Sequence, residues 1–396
     1  MKLLMGYFLL QAAGLAAALP PKLEDFKQAA IDSGLALKAL NGIALAKSLT
    51  KFDGTCKLPN VKYRREWRSI SKPDRRKFIS AVKCIMAKPS TLPPGEVPGA
   101  KSLYDQIVWA HARRSGLVHN SATFLLFHRY YLHTYETELS LCGWPSGLPY
   151  WEWGLDISGP HLSPVFDGSD TSLGGDGEFI PGRKPYKIPF IDPLTPEVIV
   201  QPGTGGGCVK TGPFADILKV RLGPFNTTEK LPVEPEDGRE DNERCLVRDL
   251  NKGGIERWAS FRNTTGLILG FGDIFGFHVN AEGDPRWVPQ KPMGIHGGGH
   301  SAIGGIGGHA SDAVISPYDP AFWLTHAQLD RIYWVWQMLD LPNRSDVFGT
   351  GTWLNIPPSP NVTVEDTIDV LPHQPPRKLK ELMNSVAGSP FCFVYV

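Results

Sequence analysis

The placement of histidine constrains this 396-residue chain more than any other feature. Of its eleven histidines, His111, His119, His128 and His133 crowd one stretch, and His296, His300, His309 and His326 crowd another. A fold that uses both stretches together must bring distant segments face to face, as the helices of a bundle do. His296 and His300 are four residues apart, which puts both imidazoles on one side of a helical turn. His119 and His128 are nine apart, and at about 100° per residue they would face opposite ways on a continuous helix. They converge only if His119 precedes that helix, and Asn120-Ser121 reads as the cap that leaves it in the preceding loop.

The surrounding pattern predicts helices as the carriers. Residues 22–50 read as helical with a mixed pattern. In SKPDRRKFISAVKCIMAK, Ser71 suits an N-cap, Pro73 sits in the first turn and Asp74 completes a capping box. KSLYDQIVWAHARR opens with a Ser102/Asp105 box and lines up Tyr104, Val108 and His111 on one face. A longer helix is expected from about Ser121 to Leu141, ended by Cys142-Gly143, and another from Asp319 to about Leu339. In IHGGGH the demands conflict: the ligand spacing wants a helical turn, but Gly297, Gly298 and Gly299 each disfavour helix by about 1 kcal/mol relative to alanine. Residues 155–248 read as loops, and FCFVYV near the end reads as strand. The 42 glycines and 35 prolines agree with helices set in long irregular connections.

Charge and processing signals narrow the class. With 41 basic and 40 acidic residues the net charge is +1, which argues against electrostatic binding of nucleic acid or an anionic membrane. Residues 1–18 read as a signal peptide: Lys2, an apolar run from Leu3 to Leu15, then Ala16-Ala17-Ala18 as a cleavage site. Residues 19–396 then form a single domain. Six cysteines, Cys56, Cys84, Cys142, Cys208, Cys245 and Cys392, form an even set without a CxxC pair, which suits disulfides in an oxidising compartment. Asn226, Asn263, Asn343 and Asn361 head glycosylation triplets, in keeping with export to the cell exterior.

All-imidazole ligation without HExxH or a regular carboxylate spacing suits copper, which tops the affinity series for nitrogen donors. Here the sequence resembles the tyrosinase and catechol oxidase family. HNSATFLLFHRYYL is similar to its first copper motif, SPYDPAFWLTHAQLDRIYWVWQ to its second, and IHGGGHSAIGG to the element between them. PYWEW, FDGSDTSLGGDG and CLVRDLN resemble the short secreted fungal branch. The resemblance spans nearly all of residues 19–396. It implies a mainly α fold, a central four-helix bundle holding two copper ions, with long loops and a few short strands. It implies that His111, His119 and His128 bind copper A, and that His296, His300 and His326 bind copper B. His133, His161, His278, His309 and His373 match no ligand position. With local closure, it also implies disulfides Cys56–Cys84 and Cys208–Cys245, leaving Cys142 with Cys392.

Several positions depart from the family pattern. Thr325 stands where an extra histidine is usual. Leu117 replaces a cysteine that in many fungal members bonds the second copper A ligand, so His119 is expected to rotate more freely. Gly297 follows the first copper B ligand where monophenol hydroxylases often have asparagine, and Ala313 stands where a bulky gate is common. Open access is expected, without a C-terminal lid domain. Asp330 and Arg331 are expected either to orient the helix or a ligand from behind it, or to form a helix salt bridge. The implied activity is oxidation of o-diphenols, or o-aminophenols, to o-quinones with dioxygen, and of monophenols weakly, with no side-chain nucleophile. The rivals are a haemocyanin-like dioxygen carrier and a secreted binding protein that retains only the scaffold.

Overall fold

A computed structural model describes residues 19–188, 197–227, 231–233 and 235–396. The expected signal peptide, residues 1–18, lies outside the described residues. The helices longer than two turns are α1 (Leu35–Ser48), α2 (Lys72–Ala87), α3 (Leu103–Ala112), α4 (Phe124–Leu141), α5 (Phe261–Gly270), α6 (Ile274–Glu282), α7 (Gly294–Gly304) and α8 (Ala321–Leu339). Strands are short: β1 (Lys62–Arg64), β2 (Gly177–Phe179), β3 (Tyr186–Ile188), β4 (Val198–Val200), β5 (Gly206–Val209), β6 (Thr367–Val370), β7 (Gln374–Lys378) and β8 (Phe393–Tyr395). They form two-stranded pairs, with β1·β8 parallel and β2·β5, β3·β4 and β6·β7 antiparallel. The mainly helical fold expected from the sequence is present.

Helix α8 is the axis of the molecule. All of its residues from Ala321 to Leu339 are buried, so it has no solvent face and belongs at the centre of a core. It packs against α1, α4, α5 and α7. Polar residues on such a helix need partners, and Asp330 has three. Its carboxylate accepts from Arg129 Nε of α4 at 2.7 Å, Arg64 Nη1 of β1 at 3.1 Å and the Tyr395 hydroxyl of β8 at 2.6 Å. Arg64 Nε also donates to Glu136 at 3.1 Å. Arg331 donates to Glu152 at 2.6 Å and to Asn41 of α1 at 2.8 Å. Asp330 and Arg331 both join α8 to other elements through these bonds, in keeping with the helix-orienting alternative.

The capping expectation for α3 is met in full: Ser102 Oγ accepts from Asp105 N–H, and Asp105 accepts from Ser102 N–H. At α2 only half of it forms. Ser71 accepts from Asp74 N–H, but the Asp74 carboxylate takes the Ser71 hydroxyl rather than its N–H.

The disulfides correct two of the three expected pairings. Cys56 bonds Cys392, Cys84 bonds Cys142, and Cys208 bonds Cys245. Local closure misleads for Cys56–Cys84. The parallel β1·β8 pairing returns the end of the chain to its start, with Lys62 N–H donating to Cys392 O at 2.9 Å. Cys84 lies on α2, which packs on α4, and Cys142 caps α4. Of the glycosylation triplets, Asn226, Asn343 and Asn361 are exposed. Asn263 is not a loop acceptor: it lies within α5, its Nδ2 donates to Arg257 O at 2.7 Å, and Thr265 is buried.

Asp330→Ala would leave Arg64 and Arg129 buried with a lost counter-charge, and is expected to cost about 3–5 kcal/mol in chemical denaturation. Non-reducing peptide mapping should recover Cys56 linked to Cys392. Opening that cross-link with Cys56→Ser and Cys392→Ser together should lower stability by about 5–6 kcal/mol in the chain-entropy account.

Candidate metal centre

Four segments deliver six imidazoles to one buried place. His111 sits in the last turn of α3, His128 in the second turn of α4, His296 and His300 near the start and middle of α7, and His326 in the second turn of α8. His119 is extended (φ −121°, ψ 143°) after a single helical turn, Ser115–Val118, and so lies in the connection before α4, as its spacing to His128 requires. One ligand nitrogen from each of His111, His119 and His128 can be grouped within 4.8 Å, and likewise for His296, His300 and His326. The triads face each other: His128 stacks on His326 at 4.5 Å between ring centroids, and His119 on His296 at 5.9 Å.

Main-chain carbonyls aim most of these rings. His111 Nδ1 binds Val314 O at 2.9 Å, His119 Nδ1 binds Ser115 O at 3.0 Å, His128 Nδ1 binds Phe124 O at 2.8 Å and His300 Nδ1 binds Ala310 O at 2.6 Å. A carbonyl only accepts, so the proton is on Nδ1 and the Nε2 lone pair is free for a metal. With no covalent bond from Leu117, His119 is oriented by the Ser115 carbonyl instead. Aromatic packing adds to this, with Phe322 stacked on His326 at 4.1 Å and Phe124 at 4.6 Å from His296. Burial pushes all six imidazoles below their ordinary pKa, His119 and His300 to about 4, so they are neutral and ligand-competent at physiological pH.

The GGG run resolves in favour of helix. A Cβ on Gly298 would stand 2.6 Å from Trp258 Cβ, and one on Gly299 would stand 2.8 Å from the Trp153 ring and 3.0 Å from Thr325 Cγ2. Glycine is required because α7 lies flush against its neighbours, and that packing offsets the weak propensity. Gly297 is different. Its Cβ would meet only the Met293 side chain, at 3.2 Å or more, and it borders a cavity of about 770 Å³ with His119, His296 and His300. Ala313 borders the same cavity, as do Tyr186, Ile188 and Val200 of the β3·β4 pair, which the loop reading of 155–248 did not provide.

The donor set fits a copper pair. His296 Nε2 is buried with no hydrogen-bond partner, His300 Nε2 stands 2.9 Å from His326 Nε2, and among the described residues no carboxylate is hydrogen-bonded to any of the six rings. Neutral nitrogens turned on one another without an acceptor are what a cation would satisfy, and imidazole donors suit copper. Comparison with known proteins agrees. A family model, the common central domain of tyrosinase, matches residues 101–339.

The chain belongs to the tyrosinase family. Tyrosinase P of Aspergillus terreus is 37% identical over 363 residues, covering 90% of this chain and 98% of that protein. The N-acetyl-6-hydroxytryptophan oxidase ivoB of Emericella nidulans is 31% identical and covers 91% of this chain and 99% of its own. A polyphenol oxidase variant from Thermothelomyces thermophila is 32% identical with a TM-score of 0.79, covering 91% of this chain and 98% of its own. The chain is an enzyme of the tyrosinase and polyphenol oxidase type, a copper oxidase of phenolic compounds, and its two triads are consistent with a dinuclear copper site.

What the family motifs did not reveal is the support behind the site. Glu282, at the end of α6, accepts from Asn120 N–H at 2.7 Å and engages His278 Nε2 at 2.8 Å, so it fixes the loop that carries His119. Asn120 there adopts φ +41°, a conformation asparagine tolerates. The Val314 and Ala310 carbonyls carry no side-chain signal at all. The other unassigned histidines lie outside the two triads, among them His309, whose Nδ1 accepts from Val247 N–H at 2.9 Å. Helix propensity alone predicts that Gly298→Ala gains about 1 kcal/mol. The Trp258 contact reverses the sign, and thermal unfolding should show a net loss of about 1–3 kcal/mol.

Proposed function

We propose that this enzyme is a secreted catechol oxidase that converts o-diphenols, or o-aminophenols, to the corresponding quinones with dioxygen, and acts weakly on monophenols. His111, His119 and His128 would hold one copper ion, and His296, His300 and His326 the other. The pair, when bound, supplies dioxygen binding and electron transfer: each o-diphenol loses two electrons and two protons. The protein orients six neutral nitrogens and offers a cavity of about 770 Å³, in the size range of small-molecule sites.

The preference for diphenols rests on Gly297. A monophenol must lose its proton to act as a ligand, and with a pKa near 10 only about one molecule in a thousand is ionised at neutral pH. A fixed water or base would make up that deficit. Gly297 borders the cavity beside His296 and has no side chain to hold one. Glu282 already engages Asn120 and His278 with its two carboxylate oxygens. A diphenol needs no ring hydroxylation and depends on such help less. Secretion is supported by the N-terminal signal pattern together with the three disulfides.

Metal analysis should find two coppers per chain, and His128→Ala should lose both bound copper and oxidation. Wild-type protein should oxidise 4-methylcatechol much faster than tyrosol. Gly297→Asn, which Met293 can accommodate by moving its flexible side chain, should raise the tyrosol-to-catechol rate ratio several-fold. Equal initial rates on the two substrates, without a lag on tyrosol, would overturn the diphenol preference.

A further inference from the structure

The wall of the substrate cavity holds one cationic side chain among the described residues, Arg244, and the copper chemistry has no use for it. Its Nη1 donates to Asn242 O at 2.9 Å and Gly223 O at 3.4 Å, and its Nη2 to Leu222 O at 2.8 Å. All three partners are neutral carbonyls. The Nε–H has no acceptor among the described residues, and all three bonds are made by Nη1 and Nη2. Arg244 forms no ion pair among the described residues, and the acidic residues nearest in sequence, Asp241 and Glu243, both pair with Arg221. Asp312 also borders the cavity; its Oδ1 is held by the N–H groups of Val314 and Ile315, and it acts on Arg244 through space without a direct salt bridge. Burial lowers the Arg244 pKa from its ordinary value, and the attraction of Tyr318 and Asp312 offsets only part of that.

His309 shares this wall. Its Nδ1 accepts the Val247 N–H at 2.9 Å, so the ring proton is on Nε2 and that edge is a donor. Burial, and after it the neighbouring charge of Arg244, keeps the ring neutral, with a pKa of about 4. The backbone that presents Arg244 is pinned from two sides. It exchanges hydrogen bonds with Val220 at 2.9 Å in each direction, and the next residue, Cys245, is bonded to Cys208. A rigidly presented guanidinium with a free edge is a preorganised receptor for a carboxylate.

We infer that Arg244, assisted by the Nε2–H of His309, forms a subsite for an anionic substituent, so that the preferred substrates are phenols bearing a carboxylate on the ring side chain. The inference rests on the oxidase reading above and adds the substrate class to it. The guanidinium acts as a specificity-determining group. It binds the end of the substrate remote from the reacting hydroxyls and leaves electron transfer to the copper site.

The test compares dihydrocaffeic acid with its methyl ester, which present the same catechol with and without the charge, on copper-loaded enzyme. Wild type is expected to favour the acid by about tenfold in kcat/KM, mainly through KM, in line with one charge-assisted bond. Arg244→Gln should erase that acid-to-ester ratio, and Arg244→Lys should restore part of it. Should Arg244→Gln fail to fold, wild type alone decides the matter. Its preference for the acid should shrink as salt is raised from about 20 mM to about 0.5 M, as charges become screened. No preference for the acid in wild type, or an unchanged ratio in a folded, copper-loaded Arg244→Gln, overturns the subsite. Failure to oxidise acid, ester and 4-methylcatechol alike would instead overturn the oxidase reading.

Discussion

Four of the six imidazoles are aimed by hydrogen bonds from Nδ1 to main-chain carbonyls, and nearly everything else in the structure serves to hold those carbonyls still. Two of them, Ser115 and Phe124, lie four residues before the histidines they orient, His119 and His128, and depend on local helical geometry. The other two reach across the fold. Val314 orients His111 and Ala310 orients His300, and both carbonyls belong to the connection between α7 and α8. That irregular connection thus fixes one ligand of each triad. Metal geometry is unforgiving, so a drift of this connection would affect both sites at once.

The stiffness is supplied at some cost. The knot around Asp330 puts two arginines, two carboxylates and a tyrosine hydroxyl in the interior, where desolvation is expensive and is offset by pairing of opposite charges. What it secures is position: β1, α4, α8 and β8 meet at one point, and His128 lies next to Arg129 in that knot. Helix α7 makes the same trade differently. It accepts Gly298 and Gly299 so that its backbone can lie against Trp258 and Trp153, which brings His296 and His300 within reach of the partner triad.

The cavity divides its work by chemistry. Its inner end is a wall of neutral nitrogens, and beside them Gly297 leaves room and no hydrogen-bonding group. One side is apolar, with Ile188 and Val200 of the β3·β4 pair, and another carries Arg244, His309 and Asp312. The proposed subsite would thereby add recognition of the ring substituent to that of the phenolic group.

Local pattern in the sequence indicated most of the long helices and singled out the histidine clusters. Spacings of four and nine residues, a Ser102/Asp105 cap and the helical stretch from Asp319 to Leu339 are short-range facts, and short-range physics decides where helices start and which face a side chain takes. The matched motifs then extended that reading to the family and its six histidines. Tertiary structure alone decided the rest, because those contacts join residues with no regular relation in sequence. Cys56 meets Cys392 only because β8 pairs with β1. Asp330 reaches Arg64 rather than a ligand because α8 runs through the centre of the core. The carbonyls that orient the histidines carry no residue identity, so no pattern of side chains could have announced them. The helix at Gly297-Gly298-Gly299 was undecidable locally, since propensity opposes it by about 1 kcal/mol per glycine. It forms because close packing against two tryptophans admits nothing larger, a reason that exists only once the chain is folded.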